Sequence, residues 1–165
     1  MRTPVVSERS KQPAGPRIMS ADGVRVGESI GGPLGLPLAK ATVTQCRVDH
    51  AFSLLLDEVD AVARVWTVRI EGPFSLTNGD QHTTVFDGEA PPSAWGPAID
   101  ALLHETLLDA TVTEAGTLSL RFETGYRLEA TALHQYDAWQ VSGPGGFLAV
   151  CEPGGRVSRW ASQPW

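Results

Sequence analysis

The sequence predicts an α+β domain: a mostly antiparallel β-sheet, strongly bent or half-closed, with one amphipathic helix packed on its apolar face. Three observations support this fold class. Apolar and polar residues alternate through much of residues 41–162, and a period of two is typical of half-buried strands. Glycine-containing turn sequences separate these runs at short intervals. One stretch, Ser93 to Leu107, has helical spacing instead.

The first 40 residues have the composition of a disordered tail. Prolines and glycines recur between Pro4 and Pro37 without a sustained apolar period, and such a segment cannot bury enough apolar surface to fold. We therefore predict a tail over residues 1–40 and a single β-rich globular domain over residues 41–162. Met19 begins the sequence Met-Ser-Ala-Asp-Gly and offers an alternative translation start.

The first predicted hairpin lies near the start of the domain. Thr42 to Leu56 is rich in β-branched and apolar residues, and its alternation predicts a strand. The alternation from Trp66 to Ile70 predicts the partner strand. The two are joined by an acidic loop that contains Asp57, Glu58 and Asp60.

A second hairpin is predicted from its turn. The dipeptide Asn78-Gly79 tolerates the positive φ angles of a tight turn. The flanking segments Phe74 to Leu76 and Thr83 to Phe86 have extended patterns, so we expect them to pair.

The helical segment carries its apolar residues on one stripe. Ser93 is suited to cap the first turn, and Pro97 is tolerated because it lies within or before that turn. We expect the stripe to pack on the sheet. It consists of Trp95, Ile99, Leu102, Leu103 and Leu107.

After the helix, the pattern predicts a β-meander that ends the domain. Leu118 to Phe122 and Tyr126 to Ala132 form the clearest hairpin, with one apolar and one polar face. Glycine-rich turns at residues 143–146 and 153–155 divide the rest into three short strands: Ala138 to Val141, Phe147 to Cys151 and Val157 to Trp160.

Charge and composition argue against several classes of function. Residues 1–40 hold six basic and three acidic groups, a net +3, which leaves −9 for the rest because the whole chain carries −6. An acidic body disfavours nucleic-acid binding, which depends on Lys and Arg. The same charge speeds encounter with a basic protein partner or simply maintains solubility. Neither a membrane-spanning apolar run nor a signal peptide is evident, so a cytoplasmic protein is expected.

The sequence contains no recognisable motif for catalysis, metal binding or cofactor binding. Gly-x-Ser-x-Gly is absent, and the four histidines lack spacings that place two metal ligands on one face. The glycine turns lack the context of nucleotide-binding loops. His50 lies on the same predicted strand face as Phe52 and Leu54 and is predicted to be a hydrogen-bonded core residue. Cys46 and Cys151 are predicted to be buried thiols rather than a disulfide.

The candidate binding residues are the acidic loop and one aromatic residue near the C-terminus. Asp57, Glu58 and Asp60 crowd a single loop and offer a site for a basic partner, although loop carboxylates are usually only solvated. Trp160 is a candidate for partner contact if it is exposed. The tryptophans at alternating or helical positions are predicted to lie in the core: Trp66, Trp95 and Trp139.

Three stretches of the sequence resemble a family of small, uncharacterised actinobacterial proteins, a domain of unknown function. These are Val43 to Leu56, Val68 to Leu76, and Tyr136 to Gly146 with the closing Pro-Gly-Gly. The resemblance covers most of the predicted domain and implies no established activity. The Tyr-x-x-Trp motif that begins at Tyr136 also resembles the ending of several immunity proteins of bacterial polymorphic toxin systems, which are small acidic α+β domains that block a toxin.

Two functional hypotheses follow. The first is a non-catalytic protein-binding module, immunity-like in the sense of this resemblance, that recognises a partner through an acidic surface. Exposed edge strands also allow a dimer. The alternative is a small-molecule-binding domain or an undetected enzyme, with a pocket between the bent sheet and the helix. A cavity that contains His50 or His134 favours the alternative, whereas a space filled by core side chains disfavours it.

Overall fold

The computed structural model describes residues 33–58, 64–87 and 95–161, together with three short strands between residues 18 and 30. The strands are β1 (Ile18–Met19), β2 (Arg25–Val26), β3 (Glu28–Ile30), β4 (Leu34–Gly35), β5 (Ala41–Val48), β6 (Phe52–Glu58), β7 (Val65–Ile70), β8 (Phe74–Thr77), β9 (Thr83–Phe86), β10 (Leu107–Val112), β11 (Leu118–Phe122), β12 (Arg127–Ala130), β13 (Trp139–Gly143), β14 (Phe147–Cys151) and β15 (Val157–Trp160). A short helix, α1, spans Gly96–Asp100, and a 3-10 turn spans Pro144–Gly146. No helix in this part of the chain has the length and apolarity needed to cross a membrane.

The strands form two large antiparallel sheets. The six-stranded sheet has the order β4-β10-β11-β12-β8-β9, and the seven-stranded sheet has the order β3-β15-β14-β13-β7-β6-β5. β1 and β2 pair with each other. Alternate residues of both sheets are buried in one shared hydrophobic core. The prediction of a mostly β, antiparallel fold is confirmed, but two sheets replace the single bent sheet.

The predicted hairpins form where local pattern and turn sequence agree. Leu120 pairs with Leu128 in the β11–β12 hairpin, and both side chains are fully buried. β8 pairs with β9 around the turn at Asn78, whose Oδ1 accepts hydrogen bonds from the backbone N–H groups of Asp80 and His82. The meander of β13, β14 and β15 closes the domain as predicted.

The helix predicted over Ser93 to Leu107 is not confirmed, because the described part of this stretch has a helix over Gly96–Asp100 alone. α1 has five residues, turns follow it, and Leu107 is the first residue of β10. Backbone bonds to β5 explain the difference, because Val43 N–H donates to Glu105 O and His104 N–H donates to Val43 O. Pairing with a neighbouring strand therefore outweighs the helical period of this stretch.

A second difference lies within the first predicted strand. A turn at residues 49–51 divides Thr42 to Leu56 into β5 and β6. Ala51 N–H donates to Asp49 Oδ1 at 3.0 Å, the side-chain bond by which aspartate stabilises a turn. His50 lies in this turn and is exposed, so the prediction of a core histidine is wrong.

Part of the predicted tail contributes to the domain. β3 pairs with β15, and β4 pairs with β10. Leu36 and Leu38 are buried in the shared core. Most residues before Pro33 lie outside the described part of the chain, so the disorder of residues 1–40 and the boundary at residue 41 stay predictions.

Two glycine turns bring the sheets into close contact at one end of the core. A Cβ atom on Gly116, in the turn after β10, would lie 2.6 Å from Gly155 O. A Cβ atom on Gly155, in the turn after β14, would lie 2.4 Å from Ala115 O. The buried Trp139 indole N–H donates to Gly116 O at 2.9 Å. Only the absence of a side chain allows this approach.

Both cysteines are free thiols, as predicted, and Cys151 is buried while Cys46 is half-buried. Burial raises the pKa of each thiol to about 11. Because the thiolate is the reactive form, about 0.1% of either thiol is ionised at pH 8, compared with roughly a quarter of a free cysteine.

We therefore expect both native thiols to react with iodoacetamide at pH 8 about 250-fold more slowly than in the urea-unfolded chain. Mass spectrometry of quenched samples measures both rates. The native rate should rise about tenfold for each pH unit up to the pKa. Native labelling as fast as that of the unfolded chain would contradict the burial of these thiols.

Candidate functional site

The structure places the predicted acidic residues at the end of β6. Asp57 is exposed. Glu58 is half-buried: its Oε1 accepts a hydrogen bond from the Trp66 indole N–H at 2.9 Å, and its Oε2 lies 3.5 Å from Arg64 Nη1. Asp60 lies outside the described residues. Glu58 thus takes part in local packing, and partner binding by this loop stays a prediction.

Trp160 lies far from this loop in the seven-stranded sheet. It is half-buried on β15, in register with Leu148 of β14. Four strand spacings separate β15 from β6, which is roughly 19 Å at about 4.8 Å per spacing. The structure therefore does not bring Trp160 together with Asp57 and Glu58, and partner contact through Trp160 also stays a prediction.

A cavity of about 200 Å³ opens where several connections between strands meet. The β5–β6 turn, the β7–β8 connection, the residue after β9 and the residue before α1 all contribute to it. We call this cavity the terminal pocket. Its buried floor contains Phe52, Ile70 and Phe74, and its rim contains Asp49, His50, Glu71, Asp87, Trp95 and Tyr136.

The floor belongs to an aromatic stack that joins the two sheets. Phe52 of β6 stacks on Phe74 of β8 with ring centroids 4.7 Å apart, and Phe74 stacks on Phe86 of β9 at 4.8 Å. Trp95 stands edge-on to Phe74 and Phe86, at 5.9 and 5.3 Å. Each such pair stabilises by about 0.5–1.5 kcal/mol beyond burial, so the floor is a preformed surface.

The rim of the terminal pocket is acidic. The hydrogen bond from Ala51 N–H keeps the pKa of Asp49 below its ordinary range. Glu71 pairs with Arg69 at 2.6 Å, and Asp87 is exposed immediately after β9. Among the described residues, no lysine or arginine lines the pocket. A carboxylate with a lowered pKa stays ionised in mildly acidic solution, so the rim keeps negative charge there.

The indole N–H of Trp95 is a buried donor without an acceptor. Within residues 33–58, 64–87 and 95–161 it is the one buried side-chain nitrogen or oxygen that lacks a partner. An unpaired buried donor costs about 1–3 kcal/mol, and an exception of this kind in a folded protein calls for an explanation.

Part of this site was predictable from the sequence. His50 lies at the rim of a cavity, a position expected from the sequence to favour small-molecule binding, whereas His134 is exposed outside it. Trp95, predicted to lie in the core, also lines the pocket. Asp49 could have been recognised as a turn former between two β-rich runs. Glu71 and Asp87 carried no signal, because their proximity depends on the order of strands in two sheets.

A second cavity, of about 250 Å³, lies against the six-stranded sheet. Its two arginines already have partners, since Arg121 pairs with Asp109 and Arg127 pairs with Glu129. These partners offset the positive charge of the second cavity, just as Arg69 offsets Glu71 at the terminal pocket, where Asp49 and Asp87 supply the remaining negative charge. The described part of the chain places no group of three or more His, Cys, Asp or Glu residues suitably for a metal ion.

The terminal pocket is chemically suited to an organic cation. Long cationic side chains cover apolar surface with their carbon stems, and carboxylates pair with ammonium and guanidinium groups through charge-assisted hydrogen bonds. Fold and site together define a small, mostly β domain of two antiparallel sheets with a loop-built pocket at one end.

The chain belongs to a family of unknown function, DUF6188, whose sequence profile matches residues 34–161. The match runs from β4 to the residue after β15. No curated protein and no solved structure matches the chain. The resemblance to an uncharacterised family is thereby confirmed.

Proposed function

We propose that this protein is a non-catalytic binding module that holds a basic side chain of a protein partner in the terminal pocket. The observation that carries the proposal is an aromatic floor beneath a carboxylate rim. A lysine or arginine side chain satisfies both features at once, because its carbon stem covers apolar surface and its cation pairs with carboxylates.

The charge of the whole domain supports the same class of partner. A body of about −9 attracts basic surfaces and speeds their encounter at low salt. A toxin is one partner that fits, since Tyr136 begins the motif that resembles immunity proteins and also lies at the pocket rim. In this proposal the protein is a cytoplasmic, immunity-like module of actinobacterial origin.

The first test compares N-acetyl-arginine amide with N-acetyl-citrulline amide, which has nearly the same shape but no charge. We expect the arginine compound to bind with millimolar affinity and the citrulline compound at least tenfold more weakly, because only the former pairs with the rim carboxylates. Nuclear magnetic resonance titration of the Trp95 indole N–H measures both affinities. Equal affinity of the two compounds would contradict the proposal.

Asp49→Asn provides the matched variant, because asparagine keeps an acceptor for Ala51 N–H and removes the charge. We expect it to weaken arginine binding roughly tenfold. Asp57→Asn removes an acid of the predicted loop and should leave this affinity unchanged. If Asp57→Asn weakens arginine binding and Asp49→Asn does not, the binding site lies in that loop instead.

In the unmutated protein, the contribution of Asp49 to arginine binding should persist as the pH falls. It should be lost only below the pH at which an ordinary aspartate becomes protonated, because the pKa of Asp49 is lowered.

Small-molecule binding in the same pocket is a second candidate function. The cavity volume and the presence of His50 at its rim favour it. A thermal-shift comparison of choline, putrescine and N-acetyl-arginine amide distinguishes the two. Micromolar affinity for a free amine would support the second candidate, whereas uniformly weak binding fits a pocket that supplies one contact of a larger protein interface.

A further inference from the structure

We infer that the partner segment binds as an added β-strand along β9, so that a basic side chain of that strand enters the terminal pocket. This inference rests on the proposed function and specifies the form of the partner: an extended, basic stretch of polypeptide. Strand addition at a sheet edge gives affinity through main-chain hydrogen bonds, while pockets for individual side chains give specificity.

β9 is an edge strand of the six-stranded sheet, and no other described strand pairs with its outer side. Asn78 N–H donates to His82 O at 2.9 Å, and bonded and non-bonded pairs alternate along an antiparallel ladder. Thr84 therefore bonds to β8, whereas the N–H and C=O groups of Thr83 and Val85 point away from it. Both residues are exposed.

The other sheet edges carry features that hinder strand addition. β5 is interrupted by a bulge between Val43 and Gln45 and carries Arg47. β4 has only two residues, and the sequence of β3 includes Glu28. β9 reads Thr-Thr-Val-Phe, with no charge, proline or bulge, and its Val85 is 66% exposed. Among the described edges, β9 is therefore the best suited to accept another strand.

The β9 edge leads directly to the pocket. Asp87, a rim residue, follows Val85 by two positions, a distance of about 7 Å along an extended chain. A strand that pairs with β9 and continues past Phe86 therefore runs beside the pocket mouth. A lysine or arginine at that point can reach the carboxylate rim and the aromatic floor.

Charge favours a basic segment over a second copy of this chain as the occupant. Each copy carries −6, and like charges at an interface oppose association. The acidic residues Asp80 and Asp87 flank β9 at either end. They attract a basic strand and repel an acidic one.

The test uses seven heptapeptides of alternating threonine and valine, each with a single arginine at a different position, and one peptide without arginine. Fluorescence anisotropy measures their affinity for the full chain. We expect one arginine position, or two positions on the same face of the strand, to bind at least tenfold more tightly than the others, because only those place the cation at the pocket. Equal affinity for all eight peptides would overturn the inference.

Val85→Pro removes the outward N–H while sparing the bonds to β8, a position at which edge strands tolerate proline. We expect it to weaken binding of the tightest-binding peptide of this series, the best peptide, at least tenfold. Binding of N-acetyl-arginine amide should stay unchanged. Val85→Thr keeps the N–H and is the matched control. Because Val85→Pro could affect folding, a best peptide with N-methyl groups on alternate backbone nitrogens provides an independent measurement, and it should also lose affinity.

The outcomes separate the two proposals. If Asp49→Asn weakens binding of the best peptide but neither Val85→Pro nor N-methylation does, binding in the terminal pocket is supported and strand addition is overturned. If none of these changes has an effect, both proposals fail. Dimerisation in sedimentation experiments that Val85→Pro abolishes would identify a second copy as the occupant and would also overturn the inference.

Discussion

Gly155→Ala is expected to lower the free energy of unfolding by about 2–5 kcal/mol. Gly155 has a φ of +96°, which costs an alanine about 1–2 kcal/mol. Its new Cβ atom would also lie 2.4 Å from Ala115 O, and overpacking of this kind adds about 1–3 kcal/mol. The total free energy of unfolding of a small domain is only about 5–15 kcal/mol. The variant should therefore unfold at a much lower urea concentration than the unmutated protein.

Gly154→Ala is the matched control for this effect. Gly154 has a similar φ of +89°, but a Cβ atom there would meet nothing within 4 Å. It should therefore show the backbone cost alone, about 1–2 kcal/mol. Equal destabilisation by the two variants would show that the close approach of the glycine turns contributes nothing to stability.

Gly143→Ala is expected to cost about 3 kcal/mol or more, although its φ of −163° suits any residue. A Cβ atom at this position would lie 2.2 Å from Cε3 and 2.4 Å from Cζ3 of Trp66. The Trp66 side chain is fully buried and packs edge-on against Phe147 at 5.3 Å. The indole ring therefore has no space into which it can move.

Urea denaturation compares this variant with Gly35→Ala, in β4, where a Cβ atom would meet nothing within 4 Å. The control should change stability by less than about 1 kcal/mol. In a Trp66→Val background, Gly143→Ala should lose most of its cost, because the clashing ring is gone. Strict additivity of the two substitutions would contradict the proposed clash.

Local features made part of this fold predictable from sequence. The hairpin of β11 and β12 follows from strict alternation around a Thr124-Gly125 turn, and the pairing of Leu120 with Leu128 confirms it. The prediction of a helix over Ser93 to Leu107 was wrong because it assigned Leu107 to the apolar stripe of that helix. His104 and Glu105 instead bond to Val43 of β5, about 60 residues earlier in the sequence, and Leu107 pairs with Phe122 of β11.

The candidate site was less predictable than the strands. Asp57 and Glu58 were predicted to bind a partner because they are adjacent acidic residues, but proximity in sequence does not define a pocket. Asp49 and Glu71 lie at neighbouring strand ends of the seven-stranded sheet, whereas Asp87 follows β9 of the other sheet and meets them where the aromatic stack joins the two sheets. Sequence alone does not specify which strands become neighbours, and hence which carboxylates share a surface.

The strand order of the seven-stranded sheet constrains how the chain can fold. β7 ends at Ile70 and lies beside β13, where Ile70 pairs with Trp139. The intervening residues supply β8 to β12, which form most of the other sheet. During synthesis, the edge of β7 that pairs with β13 stays unpaired until β13 has been made, tens of residues later. Contacts between residues so far apart in sequence raise the contact order and slow folding. A nascent chain that stops before β13 would expose that edge to association with other chains.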